Sequence, residues 1–236
     1  MESNKNNKKQ KKKRKGPPKW PIFYDFVKIT GAIPILLLMR PKVLCINGKR
    51  RKRLKGGVLI TANHTGLLDP PHIFVSFWER RIYSLATKDL YKNKPLRAFF
   101  KATCCIETDK QNFSMQSFHQ AVDYLKADKA LLIFPEGGVN TTEENVKAYK
   151  SGAVLIAHRA NKPILPVYIV KVDKWYNRRT LVVGEPIDVR ALCGPIPTVE
   201  AIEKVTDLIR QKELELVEFY QNNYAKKGKN KTNEQK

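Results

Sequence analysis

Two short strings in this chain hold the residue types that acid–base chemistry needs. The first, Asn63-His64-Thr65-Gly66-Leu67-Leu68-Asp69, sets a histidine five residues ahead of an aspartate. On a continuous helix that offset points the two side chains to different faces, but a glycine-containing turn between a strand end and a helix start lets them meet. A carboxylate that accepts a hydrogen bond from one ring nitrogen fixes the tautomer and leaves the other nitrogen to take a proton from a hydroxyl. The pair is then a general-base dyad. In isolation the same spacing is more often a helix-capping aspartate near a polar loop histidine. The second string, Phe134-Pro135-Glu136-Gly137-Gly138, delivers one carboxylate and two glycines to the exit of an apolar run. Glycines there let backbone amides approach a phosphate or a developing oxyanion, although taken alone the string is an ordinary glycine turn.

Positioning these strings requires a sheet with helices around it. Val58–Ala62 and residues 130–134 are short apolar runs that meet polar residues at their ends, the pattern of buried strands feeding site-forming loops. Asp69-Pro70-Pro71 is a helix start, with Asp69 as the cap and proline at the first helical position. Residues 43–48 read as a strand ending in an Asn-Gly turn, followed by the basic run KRRKRLK at 49–55, which predicts a hairpin onto Val58–Ala62. Further strands are expected at 83–87, 103–108, 164–170 and Thr180–Val183. Met115, Phe118, Val122 and Leu125 fall at helical spacing, and helices are also expected near Gly152–Ala160 and Val199–Tyr220. Alternating strands and helices give an α/β fold: a single domain with a largely buried central sheet flanked by helices, preceded by an N-terminal membrane-interface helical segment. The expected division is a basic disordered tail at 1–19, the interface segment at 20–42, the main domain at 43–222 and a second basic tail at 223–236.

The charge points to a polyanionic partner. The 236 residues carry 45 Lys+Arg against 22 Asp+Glu, a formal net charge of +23, and 42% hydrophobic residues suffice to bury a core. About half of the excess lies in the two tails: residues 1–19 hold nine Lys/Arg against one acid, and residues 226–236 hold five Lys against one. Nucleic acid and an anionic membrane surface both fit such a field. Residues 20–39, WPIFYDFVKITGAIPILLLM, are apolar and aromatic but interrupted by Asp25, Lys28 and Pro34, which suits a segment lying in the membrane interface better than one spanning it. A surface helix packed on the domain's own core is the alternative. No nucleic-acid motif accompanies the charge, so a basic nucleic-acid-binding module stands second and no nucleic acid is expected as partner.

Several reaction classes lose support. There is no H-E-x-x-H, G-x-S-x-G, G-x-x-x-x-G-K-[ST] or G-x-G-x-x-G string. Cys45, Cys104, Cys105 and Cys193 lack metal-type spacing and read as reduced, mostly packed thiols of a cytosolic environment. His72, His119 and His158 have no partner at ligand spacing and read as structural, so no metal is expected.

Taken together, in this order and about seventy residues apart, the two strings resemble the H-x-x-x-x-D and F-P-E-G blocks of the glycerophospholipid acyltransferase family, the lysophosphatidic acid acyltransferases in particular. Residues 105–110 (CIETDK) are similar to the family's middle block and 163–167 (PILPV) to its fourth; YKSGA at 149–153 and GEPI at 184–187 look like its connecting text. The resemblance runs over roughly residues 20–220. It implies direct acyl transfer from a thioester to a glycerol hydroxyl, with no cofactor beyond acyl-CoA or acyl-carrier protein as donor substrate. The acceptor would be 1-acyl-sn-glycerol-3-phosphate, at the cytoplasmic face of an anionic membrane, with the enzyme peripheral or monotopic. His64 would be the base and Asp69 its orienting partner, with Lys110, Glu136 and Gly137 binding substrate and backbone amides near Gly137 or Gly66 meeting the oxyanion. This chain departs from the family pattern at two places. Lys110 stands where the middle block normally ends in arginine, and Gly138-Val139-Asn140 lacks the third block's usual arginine, for which Lys101 or Lys88 are possible substitutes. An acyltransferase for another lysophospholipid is therefore the nearest alternative.

Overall fold

The computed structural model describes residues 22–26, 28–30, 41–49, 51–108, 114–142, 144–172 and 178–225. The 1–19 tail, nearly all of the second tail, residues 31–40 of the interface segment and Lys110 lie outside the described residues. Seven strands form one sheet in the order β1-β7-β6-β2-β5-β3-β4. They are β1 (Lys42–Cys45), β2 (Val58–Ala62), β3 (Ile82–Thr87), β4 (Ile106–Thr108), β5 (Ala130–Ile133), β6 (Ile164–Ile169) and β7 (Thr180–Val183). All neighbours run parallel except β6 and β7. Strands β2, β5, β6 and β7 are buried at every position, which is why their sequences are continuous apolar runs rather than alternating ones.

Successive side chains of a strand point to opposite faces, so the sheet feeds two cores. Leu59, Tyr83 and Leu131 pack on one face with the helices α4 (Met115–Lys126) and α5 (Gly152–Ala160). Val58, Ile60 and Leu132 pack on the other with Ile73 of α2 (Asp69–Ser76) and the adjoining Phe77. The helices α3 (Lys94–Ala102), α6 (Val189–Cys193) and α7 (Val199–Tyr220) complete the layers. A Cβ on Gly57 would overlap the Leu125 carbonyl oxygen, so only glycine lets β2 start this close to the end of α4.

The expected hairpin does not form. β1 pairs in parallel with β7, Lys42 opposite Thr180, and not with β2. The long basic connection lets β1 reach the sheet edge, with Arg51 ion-paired to Glu79 at 2.6 Å along the way. At the start of α2, Leu68 and not Asp69 is the N-cap; Asp69 is the first helical residue, and its carboxylate turns back toward the preceding loop.

Residues 22–26 and 28–30 are helical (α1) and dock on the domain through one polar side. The buried Tyr24 hydroxyl donates to the Ile82 carbonyl at 2.7 Å and accepts from the Ile82 amide at 3.0 Å. Asp25 accepts from Arg81 at 2.6 Å, and Lys28 donates to the Trp78 and Arg80 carbonyls. Ile22, Phe23, Phe26 and Ile29 stay exposed, as does Trp78. The docked-helix alternative therefore describes one side of α1 only. Among the described residues no helix is long and apolar enough to cross a membrane.

Candidate active site

The site sits where β2 and β5 end side by side. Thr61 lies opposite Ile133 in the register, so the loops leaving the two strands emerge next to each other although about seventy residues separate them. Strand exits at one edge of a parallel sheet are the usual place for a ligand crevice.

His64 Nδ1 lies 2.9 Å from Asp69 Oδ2. With the carboxylate ionised the ring nitrogen is the donor, which leaves Nε2 as the free base. The histidine side chain is 18% exposed and the aspartate not at all. Asp69 collects every donor around it: Thr65 N at 2.6 Å and Gly66 N at 2.8 Å on Oδ2, and Thr65 Oγ1 at 2.9 Å with Arg179 Nη1 on Oδ1. Burial pushes the Asp69 carboxyl up, but the bonds from His64 and Gly66, the Arg179 charge and the Thr65 bond outweigh it and hold the group below the usual carboxylate range. The surrounding donors therefore favour the ionised form of Asp69.

The second loop braces the first. The rings of His64 and Phe134 stack at 4.1 Å and 15°, and the Asn140 amide donates to the His64 carbonyl at 2.6 Å. Gly137 turns with φ +75°, and its N–H donates to the Phe134 carbonyl at 3.1 Å. A side chain there would meet Lys150, whose Nζ lies 3.0 Å from the Cβ position. Glu136 is partly buried; its Oε1 accepts from the Lys147 amide at 3.2 Å and its Oε2 has no hydrogen-bond partner among the described residues. Burial raises the Glu136 carboxyl against the pull of nearby backbone amides and of Lys147.

Behind the His64–Asp69 pair lies a buried network that links this edge of the sheet to α7. Asn63 extends the sheet through its side chain: Oδ1 accepts from Ile169 N at 2.7 Å and Nδ2 donates to Ile169 O at 3.0 Å. Its own amide donates to Oε1 of Glu213 on α7 at 2.7 Å, and the Tyr149 hydroxyl donates to Oε2. Glu213 is fully buried, and burial pushes its carboxyl up to about 8 despite the two bonds, with the Glu136 charge adding to the rise.

His64, Asp69, Glu136 and Gly137 thus converge, while Lys110 falls outside the described residues. The amides nominated for the oxyanion are largely spent: Gly66 N–H serves Asp69 and Gly137 N–H closes its own turn. Gly138 N–H makes no hydrogen bond among the described residues and is the turn's remaining glycine donor. His72 is fully buried with Nδ1 2.5 Å from the Leu68 carbonyl, and His158 Nε2 lies 2.7 Å from the Gly194 carbonyl. Arg179, Asn63, Tyr149 and Glu213 were not legible as site residues. Arg179 and Glu213 join the site from 110 and 150 residues away from their partners, and each sits in a string without a local signature.

A family model described as acyltransferase matches residues 43–170. The chain is 27% identical over 191 residues to the 1-acyl-sn-glycerol-3-phosphate acyltransferase of Bacillus subtilis, covering 79% of this chain and 94% of that protein. A probable 1-acyl-sn-glycerol-3-phosphate acyltransferase of Mycoplasma pneumoniae is 27% identical over 164 residues, 65% of this chain and 59% of its own length. In fold, the chain is similar to the crystal structure of the LPA acyltransferase PlsC from Thermotoga maritima, with a TM-score of 0.57 and 17% identity over 83% of this chain and 78% of that one. The matched stretch covers more than half of the chain and contains both the histidine–aspartate pair at the sheet edge and the Phe134–Gly137 turn that braces it: the chain belongs to the acyltransferase family.

Proposed function

We propose that this protein transfers a fatty acyl group from a thioester donor, acyl-CoA or acyl-carrier protein, to the free hydroxyl of 1-acyl-sn-glycerol-3-phosphate, giving phosphatidic acid. The observation that carries this reading is the 2.9 Å contact of His64 Nδ1 with a buried, anionic Asp69. His64 Nε2 takes the hydroxyl proton as the oxygen attacks the thioester carbonyl. The tetrahedral intermediate collapses, the C–S bond breaks, and the imidazolium returns the proton to the leaving thiolate. Gly138 N–H is the backbone donor for the oxyanion. Glu136, beside the base, orients the acceptor.

The acceptor's phosphate needs cations, and Lys150 at the Gly137 turn supplies one where the third-block arginine is missing; Lys110 supplies a second. Point charges impose less geometry than a bidentate arginine. The expected result from an acceptor panel read by mass spectrometry is therefore acylation of lysophosphatidic acid first, with lower but measurable transfer to lysophospholipids bearing other head groups. No transfer to any of them by folded protein refutes the reading.

The surface where this happens is anionic lipid. Ile22, Phe23, Phe26 and Ile29 of α1 are exposed, and Lys49 and Arg53 line an open cavity of about 690 Å³ together with the half-exposed Trp78. Each Lys or Arg near such a surface contributes up to about 1 kcal/mol. Sedimentation with anionic vesicles at low salt, and release of most of the protein at about 1 M salt, where the Debye length falls to about 3 Å, is expected. Full retention at that salt assigns the anchor to the apolar side of α1 instead.

A further inference from the structure

We propose that Arg179 is a positioning residue for the dyad: it holds Asp69 as an acceptor-only carboxylate and so sets the tautomer and aim of His64. The proposal rests on the acyl-transfer reading above. Arg179 is launched from a rigid place. Its carbonyl accepts from the Lys42 amide at 2.8 Å, and the next residue, Thr180, accepts from Val170 N at 3.0 Å, which locks the start of β7 between β1 and β6. From there the side chain runs buried to the dyad loop, where a single nitrogen, Nη1, donates both to Thr65 Oγ1 at 2.9 Å and to Asp69 Oδ1. Thr65 Oγ1 itself donates to Asp69 Oδ1 at 2.9 Å, closing a triangle of arginine, threonine and aspartate. Among the described residues Nε is buried without a hydrogen-bond partner, and the guanidinium's hydrogen bonds to the loop come from Nη1.

Such a cation adds to the hydrogen bonds that keep Asp69 ionised. Asp69 is fully buried, and an isolated buried carboxylate favours its protonated form. A protonated Asp69 would present an O–H to donors already aimed at it: Thr65 N and Gly66 N, both within 2.8 Å, and His64 Nδ1. One of them would lose its acceptor, and His64 could then carry its proton on Nε2, the atom that must be bare to accept one. The guanidinium removes that alternative by stabilising the anion. It also offsets the Asp69 charge, so the imidazolium formed during catalysis is attracted less strongly than by a lone aspartate and returns its proton to the thiolate more readily.

The test is kcat and KM against pH for the full chain with an acyl-CoA donor and lysophosphatidic acid, in the wild type, Arg179→Met, Arg179→Lys and His64→Ala, with thermal melts to establish folding. Arg179→Met is expected to lose roughly 10²-fold in kcat, the scale of a misplaced catalytic group, with KM within about twofold. The acid limb of its profile should move to higher pH, because the imidazolium is no longer opposed by a cation. Arg179→Lys keeps the charge but not the shared contact, so its limb should stay in place while kcat falls by roughly tenfold. Wild-type kcat and an unmoved limb in Arg179→Met overturn the proposal, as does a rise in KM at constant kcat, which would make Arg179 a substrate ligand. Should Arg179→Met not fold, Arg179→Lys decides alone: wild-type kcat or a displaced limb overturns the proposal. A fully active His64→Ala refutes the acyl-transfer mechanism itself, whereas inactive His64→Ala beside unaffected Arg179 variants refutes only the role of Arg179.

Discussion

His64→Ala is expected to lower kcat for acyl transfer by about 10²–10⁴-fold, the contribution of a positioned general base, while the protein stays folded. The fold tolerates the change because Asp69 keeps four of its five donors: Thr65 N, Thr65 Oγ1, Gly66 N and Arg179 Nη1. No buried charge is left bare. What is lost is the partly exposed imidazole and its stack on Phe134, a contact at the rim of the site. Radiolabelled acyl transfer alongside a thermal melt measures both halves of the expectation. Activity within a few-fold of wild type would remove His64 from the mechanism, and a collapsed melt would show that the stack on Phe134 carries more of the loop's stability than its exposure implies.

The second large effect is expected at Glu213. Its carboxyl sits at about 8 when folded against an ordinary 4.5, so the folded state binds that proton more tightly than the unfolded chain does. The sign follows. The contribution to stability is complete below pH 4.5, declines as pH rises, and is gone once pH passes about 8, where a charged carboxylate is buried outright. Glu136, also raised by burial, adds a smaller slope of the same sign. Melting temperature should therefore fall between about pH 5 and pH 9. Glu213→Gln should flatten most of that slope, because the amide oxygen still accepts from Asn63 N and the amide nitrogen donates to the Tyr149 oxygen. Glu213→Leu should cost much more, since it strands the Asn63 amide and the Tyr149 hydroxyl in the interior at roughly 1–3 kcal/mol each. Because the Asn63 amide adjoins His64, activity should fall with it. A Glu213→Gln protein with the wild-type pH slope would assign the slope to other groups.

The network around Glu213 also shows where reading the chain residue by residue stopped. His64 and Asp69 were recognisable because a glycine-containing turn of four residues separates them, and Glu136 and Gly137 because they close an apolar run. Local periodicity placed other elements as well: the strands Val58–Ala62 and Thr180–Val183 and the helices Gly152–Ala160 and Val199–Tyr220 occupy the expected ranges. The hairpin expected from the Asn-Gly turn failed because turn chemistry acts over a few residues, whereas the partner of β1 was chosen by a whole sheet edge open beside β7. Glu213 sits in a helix whose Glu/Lys-rich composition, KELELVEF, marks it as an ordinary solvated charge. Only the packing of α7 against the site turns that one carboxylate inward.

By itself, then, the sequence determined the α/β class, the order of the elements, the dyad and its bracing turn, since each of these is written in local periodicity or in spacing that one turn can close. The tertiary structure alone decided that β2 and β5 lie adjacent, that Arg179 and Glu213 reach the loop from 110 and 150 residues away, and that the Gly66 and Gly137 amides are already spent. The physical reason is common to all three. Burial fixes which polar groups must find partners, and which partners are available is known only when distant segments have been packed against one another.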